Sequence, residues 1–274
     1  MNGMKAAGAE IAPWIRGLAR AGFVAKGIQY ATIGLLAAMA AIGDRAGRTT
    51  GAKGALAEIH AQPFGKVLLG LMAIGLAGYA VWRFVEAVLD PEHQARGASG
   101  ALKRVGKLGN ALLHAALVVY AIGVVTGKAL ADSHDGTKSW TGRILSWELG
   151  PWLVGAAGIG VMVFAVVQMK KAWSCDLDEH LDLGRLGDRA RRVVVQLSRF
   201  GLGARAFVFA LVGTFLVSAA FRSDPDRAKG LGDALATVRG WSFGGALLGV
   251  VAVGLIAYGM YELVEARYRR IKPV

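Results

Sequence analysis

The apolar positions of this 274-residue chain fall into six blocks, near 22–43, 64–88, 105–127, 150–172, 200–221 and 243–266. Each holds roughly 20 residues, the length of α-helix that crosses a ~30 Å hydrocarbon core. A backbone in lipid must satisfy its own hydrogen bonds, so blocks of this length predict helices. The longest stretch between them, 173–199, has 27 residues, which leaves no room for a separate soluble domain. The first block lacks a small-residue cleavage site, so it reads as a membrane span and not as a removable signal peptide. The pattern predicts an all-α integral membrane bundle of six helices.

The blocks also repeat. Residues 20–87 align without a gap onto 199–266, at a constant offset of 179, with 24 of 68 positions identical. A more degenerate third copy lies between them. Lys107-Leu108-Gly109 falls where Arg20-Ala21-Gly22 and Arg199-Phe200-Gly201 stand, and Gly155 and Gly160 fall where Gly70/Gly75 and Gly249/Gly254 stand. Self-similarity at a fixed period identifies the building unit. Here it is a two-helix hairpin, over 15–90, 102–174 and 194–270. Units of two helices all enter the membrane in the same direction. Three tandem parallel repeats therefore predict a pseudo-threefold axis along the membrane normal, unlike the inverted repeats of many transporters.

Charge orients the bundle. The chain carries 32 Lys and Arg against 19 Asp and Glu, a net +13. Of the basic residues, 21 fall to the N-terminal segment, connectors 2–3 and 4–5 and the C-terminus, and 11 to the other three connectors. Basic excess marks the cytoplasmic side, which predicts a multi-pass protein of the cell (inner) membrane with both termini cytoplasmic. The positive charge then acts on the bilayer, where anionic lipid headgroups are its expected partner. No nucleic-acid motif is present, so no nucleic acid is expected. Nothing in the sequence specifies a protein partner or a homo-oligomer. Cys175, the one cysteine, excludes an intrachain disulfide.

Apolar helices in lipid gain little by burying apolar area against one another, so they associate through close packing at small residues. The expected contact glycines are Gly70 and Gly75 in the second helix, Gly155 and Gly160 in the fourth, and Gly245, Gly249 and Gly254 in the sixth. Gly245-x-x-x-Gly249 is a formal dimerisation motif that reads here as packing within the bundle. The outer connectors share Gly-x-x-x-Ala-Leu-Ala, at Gly51–Ala57 and Gly230–Ala236. With Ala55, Leu56 and Ile59 on one face, the first predicts a short helix in the outer interface, serving as lid or strut. Leu181 to Leu197, with Arg185, Arg189, Arg191 and Arg192, predicts an amphipathic helix on the cytoplasmic face.

Ionisable groups within spans are costly there and are the first candidates for function. Lys26 and Arg205 occupy equivalent positions in the first and fifth helices, each preceded by a second base, Arg20 and Arg199. Near the same ends of the second and sixth helices stand Glu86 and Glu265, with Arg83 and Glu262 beside them. The expected pairs are Glu86 with Lys26 or Arg20, and Glu265 with Arg205 or Arg199, a charged network at the cytoplasmic mouth. Its role is either to lock each hairpin or to gate a path. His114, Gln29 and Gln168 are the intramembrane polar candidates, suited to interhelical hydrogen bonds or to lining a path. Cys175 to His180, followed by Asp182, offers metal donors, yet its spacing fits no standard zinc or calcium loop. No metal or other cofactor is expected. No P-loop, dinucleotide fingerprint, nucleophile elbow or zincin helix occurs, which makes an enzyme the least favoured class.

The R-x-G-x-x-A-[KR] entry of the odd helices, at Arg20–Lys26 and Arg199–Arg205, recurs with L-L-G-x-x-A-x-G-L-x-x-Y-x-x-[WY]-x-x-x-E-A in the even ones. Together with three two-helix units, these motifs resemble the bacterial membrane family called domain of unknown function 1206, over about residues 15 to 268. The middle copy departs most, with Phe164, Val167 and Lys171 in place of the aromatic pair and the glutamate. The resemblance implies the fold and a membrane location and carries no activity. Two function classes remain: a small-solute or ion pathway, and a non-transporting membrane protein that packs against lipid or a partner. Mitochondrial carriers share the six-helix, three-repeat plan, but the proline, acid and base of their odd helices are absent here, which leaves analogy of fold alone.

Overall fold

A computed structural model describes residues 2–44, 46–89, 97–128, 136–174 and 181–269. Its helices are α1 (Asn2–Ala41), α2 (Ala52–Ala61), α3 (Gly65–Leu89), α4 (Gly97–Val125), α5 (Gly136–Leu145), α6 (Gly150–Ser174), α7 (Asp188–Arg222), α8 (Leu231–Arg239) and α9 (Gly244–Tyr268). Six are long and apolar enough to cross a bilayer, over Gly17–Ala41, Gly65–Val88, Lys103–Val125, Gly150–Ser174, Asp188–Arg222 and Gly244–Tyr268. The described residues form no strand. The fold is an all-α membrane bundle, as the apolar pattern predicts.

Each hairpin turns through the same corner. A short connector helix ends, three or four residues intervene, and the returning span starts on a glycine whose N–H donates three residues back. These bonds are Gly65 to the Gln62 carbonyl (2.8 Å), Gly150 to Trp147 (2.9 Å) and Gly244 to Trp241 (2.8 Å). Any side chain on these glycines would collide with the carbonyls of His60, Ile144 and Arg239. The residue type is thus dictated by close approach of backbone. Ala55, Leu56 and Ile59 of α2 are buried, as are Ala234, Leu235 and Val238 of α8 at the same offset of 179. Leu56 and Ile59 pack with Leu69, Leu76 and Ala121, so α2 is a strut between spans. Its buried face is the one that its apolar spacing marks.

The spans pack in cyclic order: α4 on α3, α3 on α1, α1 on α9, α9 on α7, α7 on α6. Among the described residues α4 and α6, the two spans of the middle hairpin, have no packing of comparable extent, which leaves the ring open there. The spans thus form a ring with one hairpin open.

The surroundings of equivalent glycines show the difference. A Cβ on Gly22 would lie 2.6 Å from the Cβ of Tyr79, and one on Gly201 would strike the Tyr258 backbone. Gly75 presses on Ala21 and Ala25, and Gly254 on Ala204. These contacts close α1 on α3 and α7 on α9. Gly109 and Gly160, their middle-copy equivalents, have nothing within 4 Å. Of the other expected packing glycines, Gly70 also faces open space. Gly155 meets Ala220 only at an ordinary 3.5 Å, and Gly245 and Gly249 flank Ala41 at 3.3 and 3.8 Å. One further close seam has no signal in the repeated motifs. It joins α1 to α9 through Gly27 and Gly259, each of which would meet the other's carbonyl within 2.8 Å.

The predicted surface helix over 181–197 is not separate. Leu181 and Leu183 are buried in the largest core cluster beside Tyr261, and the Asp182 N–H donates to the Tyr268 carbonyl at 2.8 Å. The helix that starts at Asp188 continues without a break into the fifth span. The basic residues Arg189, Arg191 and Arg192 are exposed on its first turns. The apolar residues at 181 and 183 mark a segment tucked under the end of α9, a contact distant in sequence.

Candidate functional site

Lys26 lies nine residues inside the apolar part of α1 that begins at Gly17, roughly 13 Å at 1.5 Å per residue. It is 3% exposed, and Arg205 and Glu262 are 4% and 0% exposed, so all three are out of bulk water. A charge at such a place must be paired or hydrogen-bonded. Lys26 Nζ donates to Glu262 Oε1 at 2.6 Å and to the Tyr79 hydroxyl at 3.1 Å. The same Glu262 oxygen accepts from the Tyr258 hydroxyl. The ammonium also stands 4.9 Å from the Tyr79 ring centre and 5.4 Å from that of Tyr258, within cation–π range.

Arg205 is held differently. Its Nε donates to the Tyr30 hydroxyl at 3.1 Å. Its guanidinium carbon stands 4.7 Å from the Tyr258 ring, 4.8 Å from Phe209, 5.0 Å from Phe164 and 5.4 Å from Tyr30. Among the described residues no carboxylate lies within ion-pair distance of Arg205, and its terminal nitrogens make no hydrogen bond. His114 of α4 completes the group, with its ring 4.6 Å from that of Tyr79 and its Nδ1 2.9 Å from the Asn110 carbonyl. Every one of the six spans thus contributes to one cluster of two cations, one carboxylate and a shell of aromatic rings. Two buried polar atoms at or beside it have no partner, Glu262 Oε2 and Gln29 Oε1.

A second group lies nearer the basic side. Glu86 accepts from Arg83 at 2.7 Å and from Arg269 at 3.2 Å, and Glu265 accepts from Arg269 at 2.9 Å. Arg83 also donates to the Tyr79 hydroxyl at 2.8 Å, which links the two groups. The pairs differ from the expected ones. Lys26 is joined to Glu262 and not to Glu86. Glu265 takes Arg269, and Arg205 has no carboxylate. Arg20 is exposed, and Arg199 donates to the carbonyls of Ala172 and Trp173, both at 3.2 Å.

The physical reason is that pairing crosses between copies. Arg83 and Glu262 stand at equivalent positions with opposite charge, so each copy supplies what the other lacks. That opposition is visible at the offset of 179 and could have been read from it. So could Tyr79 and Tyr258, which recur one helical turn before it. Phe164 stands at the same place in the middle copy, and Tyr30 recurs as Phe209, both on Arg205. Arg269 lies beyond the aligned copies and carries no such signal. Gln168 is buried in α6. Cys175 to His180 lie outside the described residues.

The likeness to known proteins fits this geometry. The family described as Domain of Unknown Function (DUF1206) matches the chain three times, over residues 21–90, 105–174 and 200–269. The chain belongs to the DUF1206 family. It is 32% identical over 262 residues to the uncharacterized protein YxxB of Bacillus subtilis (strain 168), covering 96% of this chain and 94% of that one. No solved structure matches it. The three DUF1206 segments each contain one closed or open hairpin of the bundle. The intramembrane cluster draws residues from all three.

Proposed function

We propose that this protein is a pathway for small anions across the cell (inner) membrane, with both termini in the cytoplasm and no enzymatic step. The observation that carries the reading is Arg205, a buried guanidinium on aromatic faces with no carboxylate beside it. Charged groups inside a membrane are costly and mark ion or substrate paths. Here Lys26 and Arg205 outnumber Glu262, so the cluster holds one positive charge in excess. An anion arriving at Arg205 finds unspent N–H donors. The Lys26–Glu262 pair and the tyrosines around it occupy the same level and act as the closed gate. The basic side of the bundle, with Arg189, Arg191 and Arg192 exposed, concentrates anions at its mouth.

Purified protein in liposomes should pass chloride faster than empty vesicles do. Arg205→Gln should remove the excess flux, and His114→Ala should change the rate or its pH dependence. Equal flux from loaded and empty vesicles overturns the reading.

The alternative is a non-transporting protein that binds lipid or a partner. One observation favours it specifically: the open middle hairpin, where Gly109 and Gly160 face no other part of the chain. Anionic lipid is the partner that the basic side supports most directly.

A further inference from the structure

The outer face of the bundle carries a groove of about 500 Å³, floored by α7 and walled by α6 and α9. It is independent of the anion path. Its floor is Phe200, Gly203, Ala204 and Phe207, and its α9 wall includes Leu247 and Val250. The groove exists because Gly203 has no side chain. A Cβ there would meet nothing within 4 Å, and the first copy has Val24 at the equivalent position.

One end of the groove is polar, with Gln196, Arg199 and Trp173. The bonds from Arg199 to the Ala172 and Trp173 carbonyls fix its guanidinium across the end of α6. Trp173 is 81% exposed, an indole placed as interfacial tryptophans are. From Gln196 to Phe207 the floor runs eleven residues, roughly 16 Å along the helix. That is the reach of much of an acyl chain. No acidic side chain lines the groove among the described residues, so the charge at its polar end is positive only.

We infer that this groove holds an acyl chain of an anionic phospholipid, with the phosphate on Arg199. The bilayer supplies the chain, the apolar walls take it, and the cation at the interface selects the headgroup.

The test is native mass spectrometry of the purified protein in detergent, with phosphatidylglycerol or phosphatidylcholine of the same chains added. The protein should retain one phosphatidylglycerol about tenfold more tightly than phosphatidylcholine. Gly203→Leu, which fills the groove, should lose that lipid with an unchanged melting temperature. Arg199→Gln should retain both lipids equally. Leu247→Trp, which narrows the groove from α9, gives a second way to fill it if Gly203→Leu does not fold. Equal retention of the two lipids by the unaltered protein overturns the inference. So does full retention of phosphatidylglycerol by a folded groove-filling variant.

Discussion

Gly22 and Gly201 each press on a tyrosine in the second span of their own hairpin, whereas Gly109, at the same place in the middle unit, faces open space. Gly75 and Gly254 repeat the contrast with Gly160. The middle hairpin has kept the small residues of a closed one and lost the groups that hold it. Phe164 stands where Tyr79 and Tyr258 put a hydroxyl into the cluster, and Lys171 stands where Glu86 and Glu265 accept from arginines. The difference teaches that small residues permit close approach but do not compel it. In lipid, polar contacts and packing supply the attraction that apolar area does not.

The largest effect should come from the pair that joins the two outer units. Glu262→Gln leaves Lys26 buried without its carboxylate, a loss of about 3–5 kcal/mol. It should appear as a sharply lower melting temperature in detergent. Adding Lys26→Met to Glu262→Gln should recover part of it. If both proteins melt like the unaltered one, the outer units are not held by this pair.

Glu86→Gln should do less, because Arg83 keeps the Tyr79 hydroxyl and Arg269 keeps Glu265. A loss of about 1.5–3 kcal/mol is expected from weakened charged hydrogen bonds. Charge reversal at Lys171, the exposed middle-copy equivalent, should lower the melting temperature less than Glu86→Gln does.

The glycines sharpen the comparison by sign. Gly22→Ala and Gly201→Ala should destabilise by about 1–3 kcal/mol through overpacking. Gly109→Ala and Gly160→Ala should be neutral or stabilise by about 0.5–1 kcal/mol, because alanine suits a helix interior better and meets nothing. Losses of equal size in all four would mean that the middle hairpin is closed.

The fold was legible because its cause is local: length of apolar runs and period of the repeat. The face of α2 was legible for the same reason, since Ala55, Leu56 and Ile59 follow helical spacing. The cluster was legible only in its membership. Lys26, Arg205, Glu262 and His114 stand out as ionisable groups in apolar runs, but their partners depend on which spans meet. The seam of α1 with α9 sets Lys26 against Glu262, and one copy of the repeat does not reveal what the other presents. The middle hairpin shows the same limit. Its glycines repeat those of the outer copies, and only the assembled bundle separates α4 from α6.

The central claim, two closed hairpins and one open, is tested most directly by three matched distances. Spin labels at Ala21 and Phe84, Leu108 and Met169, and Phe200 and Leu263 occupy equivalent, exposed positions on the two spans of each hairpin. Pulsed electron resonance on the protein in lipid, with Cys175 replaced by serine, should give nearly the same distance for the first and third pairs and a clearly longer one for Leu108 and Met169. Three equal distances would contradict the account.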